Sequence, residues 1–332
     1  MSALTPLAGR TVVDLSQQLP GPFATLLLRS LGARVIKVEP PAGDPAREID
    51  PPMFARMLAD KEVVVIDLKS EAGKAELRRL VTDADVFFEG FRPGVAARLG
   101  ADWETLSGFN PRLVYCSLSG YGASGPLAGE PGHDLNYLAL AGGLPAGTPD
   151  GETLIRVPWV DLAAGTNAAL AIVAAVLERE TTGRGRRLEM AMLDVAAVWA
   201  KAKEPRPGAE GAYGIFVCAD GGRVALAVLE EEMWRRLCTA FGWGDWLADP
   251  TLADHEARRA SAARIEARLR EEFAARTVAG VTELADRHDL PISRVQEGAE
   301  AMADPQLAAR GIFPPGAWRP LGRIGAELPS SV

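Results

Sequence analysis

The 332-residue chain carries a formal charge of −8, with 48% apolar and 24% charged residues. This balance fits a soluble globular protein and argues against a nucleic-acid or anionic-membrane partner; an anionic ligand would need a local basic patch. Three cysteines without CxxC spacing and three histidines without HxxxH spacing make a metal site an unsuitable reading and point to free thiols in a reducing compartment. The segment MSALTPLAGR has no basic stretch ahead of an apolar core, and the longest strongly apolar run, 168–177, is short of the ~20 residues that span a bilayer. A cytoplasmic protein is expected.

In chain order, Thr11–Leu15 reads as a strand and Pro22–Leu31 as a helix with Gly32 as its stop. Arg34–Glu39 is a second strand, closed by two prolines, and Glu62–Asp67 a third, followed by a helix over Ser70–Thr82. Asp85–Glu89 and Leu113–Leu118 are the fourth and fifth strands. Continuous apolar strands joined by amphipathic helices predict a buried parallel sheet in an α/β fold. A long helix follows from about Asp161 to Arg179, then an apolar segment over Leu188–Trp199. The charged, Pro/Gly-rich stretch from Lys201 to Gly211 is the expected domain boundary. Beyond it a hairpin, Tyr213–Val217 with Val224–Leu229, leads into mostly helical sequence. The expected domains are 1–200 (large) and 201–311 (small, α+β), with a tail over 312–332.

Glu39, ending the second strand, sits where a dinucleotide-binding fold places its ribose-binding acid. The glycine fingerprint is absent, however: the first turn reads Ser16-Gln-Gln-Leu-Pro-Gly-Pro22. No phosphate-binding GxxxxGK[ST] loop and no GxSxG elbow occur. Phe91-Arg92-Pro93-Gly94 follows the fourth strand, at the sheet edge where ligands bind. Arg92 there suits a phosphate, with Lys37 and Lys61 near other strand ends, though a solvated loop arginine fits equally.

Gly132-His133-Asp134-Leu135-Asn136-Tyr137 and Pro158-Trp159-Val160-Asp161-Leu162 hold two groups able to exchange protons. Each has a plainer reading: His133 as a polar loop residue, Asp161 as the N-cap of the apolar helix. Capping and catalysis coexist, because a cap fixes the carboxylate and the free N–H groups of a helix start stabilise an anion. Glu230, first of three glutamates opening a helix, suits the helix dipole and is a third candidate carboxylate.

Several segments together resemble the family III CoA-transferases (CaiB/BaiF). They are Gly21-Pro22-Phe-Ala-Thr25, Leu31-Gly-Ala-Arg-Val-Ile-Lys-Val-Glu39, Ala84-Asp85-Val86 with Phe91-Arg-Pro-Gly94, Asn110-Pro-Arg-Leu-Val-Tyr115, Ser119-Gly-Tyr-Gly122 with Gly125-Pro126, Thr182-Gly-Arg-Gly185 and Ala303-Asp-Pro-Gln306 with Ala309-Arg-Gly311. The resemblance implies a Rossmann-like large domain, a small domain, an interlocked homodimer, and an acyl-CoA thioester as substrate with no cofactor. It makes Asp161 the nucleophile of a transferase, passing through an acyl anhydride and an aspartyl-CoA thioester, or the acid/base partner of His133 in a racemase. Gly132-His-Asp-Leu-Asn-Tyr-Leu-Ala139 is similar to the segment of the α-methylacyl-CoA racemases, and Glu230 matches their glutamate. Racemisation of a 2-methylacyl-CoA is therefore the leading expectation, CoA transfer between carboxylic acids the alternative, and a weakly active CoA-ester-binding homologue the third. Lys37, Lys61, Arg92 and Tyr137 are the residues expected to bind CoA. The chain departs from the family's pattern at Leu58-Ala-Asp-Lys-Glu-Val63, where Lys61 alone survives of a basic run, and in a shorter linker after Trp199. The resemblance implies a return of the tail, 312–332, to the large domain, but the sequence after Gly322-Arg-Ile-Gly325 lacks the family's usual closing segment, which bears on that return and on the interlocked dimer.

Overall fold

The computed structural model describes residues 5–144, 157–202 and 210–311. The described residues divide into two compact units, one up to residue 202 together with Ala308–Gly311 and the other over residues 210–307. The expected tail, 312–332, and most of the expected linker lie outside the described residues.

The first unit opens with β1 (Thr11–Asp14), α1 (Pro20–Ser30), β2 (Arg34–Glu39), α2 (Ala46–Ile49), α3 (Pro51–Leu58) and β3 (Glu62–Val65). It continues with α4 (Glu71–Thr82), β4 (Val86–Glu89), α5 (Val95–Leu99), α6 (Trp103–Phe109) and β5 (Val114–Ser119). After these come α7 (Asp134–Leu140), α8 (Trp159–Thr182), β6 (Arg186–Ala191) and α9 (Met192–Lys201). The six strands are parallel, in the order β3-β2-β1-β4-β5-β6.

The sequence explains this burial. Val12 and Val13 in β1 and Val86, Phe87 and Phe88 in β4 are buried whichever way they point, as a sheet covered on both faces requires. Strand order reverses at β1. The loops leaving β1 and β4 therefore diverge and open a crevice at the strands' carboxyl ends. The apolar stretch after residue 188, read as one segment, divides here into the sixth parallel strand and α9.

Helix α8 crosses this unit with its amino end at the crevice. Small residues, Ala163, Ala164, Gly165, Ala168 and Ala169, form its buried stripe. A β-carbon on Gly165 would collide with the Pro20 carbonyl and the Phe23 ring, so α1 and α8 meet backbone to backbone. At the far end, Arg179 is buried and its guanidinium meets Asp85 Oδ1 at 2.6 Å. By length and composition α8 could cross a bilayer, but half of its apolar window is buried inside the protein.

The second unit begins with the hairpin β7 (Tyr213–Val217) and β8 (Arg223–Ala227), then α10 (Glu231–Phe241), α11 (Gly244–Leu247) and a 3-10 turn over Pro250–Leu252. It continues through α12 (His255–Ala260), α13 (Ala262–Ala274), α14 (Val278–His288), β9 (Ile292–Arg294) and α15 (Gly298–Met302); α16 (Pro305–Arg310) follows. Its antiparallel sheet, β7-β8-β9, carries Phe216, Val224 and Leu226 on the face that packs with Trp234, Leu237, Ile265 and Phe273. Tyr213, Ile215 and Val217 alternate with the half-buried Gly214 and the buried Phe216 of β7 and stand exposed on the other face. The protein is thus α/β, a doubly wound parallel sheet with a smaller α+β unit.

Candidate active site

Asp161 is not the cap of its helix. Pro158 holds that position, and Asp161 stands in the first turn, two residues beyond Trp159. The capping carboxylate comes from α7: Asp134 Oδ1 accepts from the N–H of Val160 at 2.7 Å and of Asp161 at 2.9 Å. These are the donors that the sequence assigned to an anionic intermediate, and Asp134 has taken them. Burial, reinforced by the charge of Asp134, pushes the Asp161 carboxyl up to about 7. Asp134 was missed in the sequence, because a cap donated by another helix leaves no local signature.

His133 is the N-cap residue of α7 and is exposed; its N–H donates to Asn136 Oδ1 at 3.0 Å. His133 and Asp161 line one cavity of about 170 Å3, together with Gln17, Gln18, Phe91, Gly132 and Tyr137. The structure therefore brings the two candidates to one site. Tyr137 is buried: its hydroxyl donates to the Gly132 carbonyl at 2.6 Å, and its ring meets Tyr121 edge-on at 5.0 Å. Burial, with Tyr121 and Asp161 nearby, pushes its phenol up to about 12 against the pull of Arg92, so it stays protonated. A β-carbon on Gly120 would strike that hydroxyl, which is why the chain needs glycine there.

Arg92 is exposed and lines a second cavity of about 260 Å3, along with Ser119, Tyr121, Glu130, His133 and Tyr137. The two cavities share Gln18, Gly90, Phe91, Gly132, His133 and Tyr137. On the other side of the β1 loop lies an apolar cleft of about 330 Å3 between the ends of β1, β2 and the segment after β3. Val38, Pro40, Ile66, Leu68 and Leu99 line it, Lys69 stands among its lining residues, and it shares Leu15, Gln17 and Phe91 with the Asp161 cavity.

Two residues expected to bind CoA do something else. Lys37 is 1% exposed; its ammonium meets Asp44 Oδ2 at 3.1 Å and also donates to the Ser16 carbonyl. The Lys61 ammonium is fully buried, donating to the Pro22 carbonyl at 2.8 Å and Thr25 Oγ1 at 2.7 Å, and facing Asp14 Oδ2 at 3.4 Å. Burial pulls the Lys61 ammonium down to about 8. Burial also opposes the charge of Asp14, but Lys61 and Lys37 prevail and hold its carboxyl below the ordinary value. Strand-end lysines here neutralise buried aspartates, and neither side chain lines any of the three cavities. Among the described residues, the cations that line these three cavities are Arg92, an expected ligand of CoA, and Lys69.

Glu230 belongs to the second unit, exposed at the N-cap of α10, and the lining of the Asp161 cavity comes from the first unit alone. Beneath the cavities, Glu89 ends β4 with one oxygen accepting from the Phe91 N–H at 2.6 Å and the other from the Tyr115 hydroxyl at 3.1 Å. Burial pushes Glu89 up to about 7. Among the described residues, no group of three or more His, Cys, Asp or Glu side chains is placed to hold a metal ion.

Residues 7–317 match CoA-transferase family III. The chain is similar to an acetyl-CoA:oxalate CoA-transferase of Acetobacter aceti, 34% identical over 93% of this chain and 85% of that protein. It is also similar to a succinate–glutarate CoA-transferase of Agrobacterium fabrum, 32% identical over 92% of this chain and 84% of that one. Among solved structures, a CaiB/BaiF family protein from Brucella suis superposes with a TM-score of 0.79 at 32% identity, covering 93% of this chain and 88% of that one. A fold whose crevice gathers a half-buried aspartate, and whose sequence matches over residues 7–317, leads to one assignment: the chain belongs to CoA-transferase family III.

Proposed function

We propose that this protein transfers CoA between carboxylic acids, with Asp161 as the nucleophile. The observation that carries the reading is a carboxylate in a cavity, backed by a second carboxylate, with its proton affinity raised to about 7. Such a carboxylate is a stronger nucleophile than an exposed one, yet ionised in a useful fraction near neutrality. The racemisation expected from the His133 segment becomes the second reading, because the relatives similar to this chain are named CoA-transferases.

Asp161 attacks the thioester carbonyl of the donor, the C–S bond breaks, and CoA leaves as a thiolate from a mixed anhydride. The thiolate then attacks the aspartyl carbonyl and expels the donor acid as its carboxylate, leaving an aspartyl-CoA thioester. An acceptor carboxylate repeats the two steps in reverse and leaves with CoA. Every bond made and broken belongs to Asp161, the two acids and CoA, so the sequence of steps draws on no further cofactor. CoA's adenine end suits the apolar cleft beside β2, with Lys69 and Arg92 as counter-charges for its phosphates. The acids suit the polar cavity of Arg92 and Ser119.

We also read the functional form as a homodimer. Leu170 and Leu177 on α8 and Val198 and Trp199 on α9 are more than half exposed, an apolar surface of the kind that partners cover. Light scattering of the purified protein checks this, and a monomer at micromolar concentration rejects it.

The activity test is exchange of CoA from acetyl-CoA or succinyl-CoA to a panel of mono- and dicarboxylates, with hydroxylamine trapping of an Asp161 hydroxamate. His133→Ala retains transfer if the reading is right. The second reading is favoured by His133 and Asp161 lining one cavity. It predicts exchange of the α-proton of a branched acyl-CoA in D2O without any acceptor acid, lost in His133→Ala.

A further inference from the structure

The loop between β1 and α1 holds a backbone conformation that its residue disfavours. Gln18 has φ of 64°, in the left-handed region where a β-carbon crowds the carbonyl. The hold comes from outside the loop. The Gln18 N–H reaches both carboxylate oxygens of Asp44, at 3.0 and 3.2 Å. Asp44 is itself pinned by the Ala46 N–H at 3.0 Å and by the Lys37 ammonium, which also ties the Ser16 carbonyl. Lys37 and Asp44 are 1% and 2% exposed. A buried ion pair returns little net stability, since desolvation consumes most of its attraction, so the pair calls for a second use. Strained non-glycine residues concentrate where function over-determines the backbone. Gln18 lines both the Asp161 cavity and the Arg92 cavity.

We propose that the buried Lys37–Asp44 pair is a positioning device for Gln18, whose carboxamide donates to the oxygen that turns negative when a carbonyl at Asp161 is attacked. This rests on the CoA-transfer reading above. Among the described residues, several donors near that point are already engaged: the N–H groups of Val160 and Asp161 serve Asp134, and the Tyr137 hydroxyl serves Gly132. A carboxamide is neutral at every working pH, so it stabilises a developing oxyanion without forming an ion pair with the resting Asp161 carboxylate. Two buried charges hold the backbone from which it projects, so the Cα of Gln18 is fixed at the cavity before charge appears.

Gln18→Gly separates backbone from side chain, because glycine adopts the left-handed conformation freely and keeps the N–H bonds to Asp44. The expected result is kcat reduced at least about tenfold with KM for acyl-CoA within about threefold, and partial recovery in Gln18→Asn, which tolerates that conformation and retains an amide. A Gln18→Gly enzyme with unchanged kcat overturns the proposal. Lys37→Met/Asp44→Ala should lower kcat in the Gln18 protein and lower it no further in the Gln18→Gly protein; independent, multiplying losses overturn the positioning role. Should that variant not fold, Lys37→Met/Asp44→Asn replaces it, keeping one acceptor oxygen for the Gln18 N–H. Its kcat should lie above that of Gln18→Gly, and a value at or below it counts against the proposal. Wild-type protein that traps no Asp161 adduct sinks the transfer reading alone. The hold on Gln18 is then read from melting: Gln18→Gly should melt above Gln18→Ala, and the reverse order overturns it.

Discussion

Asp134 Oδ1 accepts hydrogen bonds from both Val160 and Asp161, so the positive end of the α8 dipole is spent on a neighbour and not on the carboxylate of the helix's own first turn. An aspartate at this position normally gains from the dipole and becomes more acidic. Here burial and the Asp134 charge prevail, and Asp161 rises to about 7.

Asp134→Asn keeps an acceptor oxygen for the two N–H groups and removes the charge. Asp161 should then titrate lower, and the acidic limb of the pH–kcat/KM profile should move down by about one unit. Asp134→Ala should cost about 1 kcal/mol of stability through the lost cap. Initial rates from pH 5 to 9 check the first outcome; an unmoved limb would assign the titration to another group.

Asp161→Asn should stabilise the protein while abolishing transfer. The folded carboxyl titrates at about 7 against an ordinary 3.8, so the favourable, protonated form is fully present below about pH 4 and is lost as pH rises through 7. At pH 8 the wild type holds a poorly solvated charge that asparagine lacks. A gain of about 1–3 kcal/mol is expected there, discounted for partial exposure, with no gain at pH 4. Urea melts at the two pH values measure the difference.

Lys61 and Arg92 should fail in opposite ways. Lys61→Met leaves Asp14 buried without the ammonium 3.4 Å away, at a cost of about 3 kcal/mol, with little change in CoA affinity for the protein that remains folded. Arg92→Gln, on an exposed loop, should leave the melting temperature within about 2 °C and raise KM for acyl-CoA about tenfold through a lost charged contact. Equal loss of affinity in both variants would restore Lys61 as a phosphate ligand.

Gly165→Ala tests the close approach of α1 and α8. The added methyl group meets the Pro20 carbonyl and Phe23, so a cost of about 1–3 kcal/mol is expected. Because Asp161 lies one turn away on the same helix, kcat should fall along with stability. Calorimetry and steady-state rates on one preparation give both numbers.

The parallel sheet was legible because its strands are continuous apolar runs punctuated by Gly and Pro, and local pattern suffices for that. Asp161, His133 and Arg92 stand out as candidates in the sequence because they sit at or near element edges, and Tyr137 enters with the family resemblance. The structure places all four in the lining of the two polar cavities. What the three cavities are made of was harder to foresee. Gln17 and Gln18 carry no motif, and only the reversal of strand order at β1 brings their loop beside α7 and α8.

Chain order and side-chain chemistry by themselves determined the α/β architecture and the presence of a carboxylate at the start of α8. Tertiary structure alone decided how the charges are used. Lys37 and Lys61 read as free cations at strand ends until packing buries Asp44 and Asp14 against them, because burying a charge demands a partner and the nearest ammonium supplies it. In the same way Asp134, not Asp161, caps α8, since two helix ends that meet in space share donors that no local pattern records.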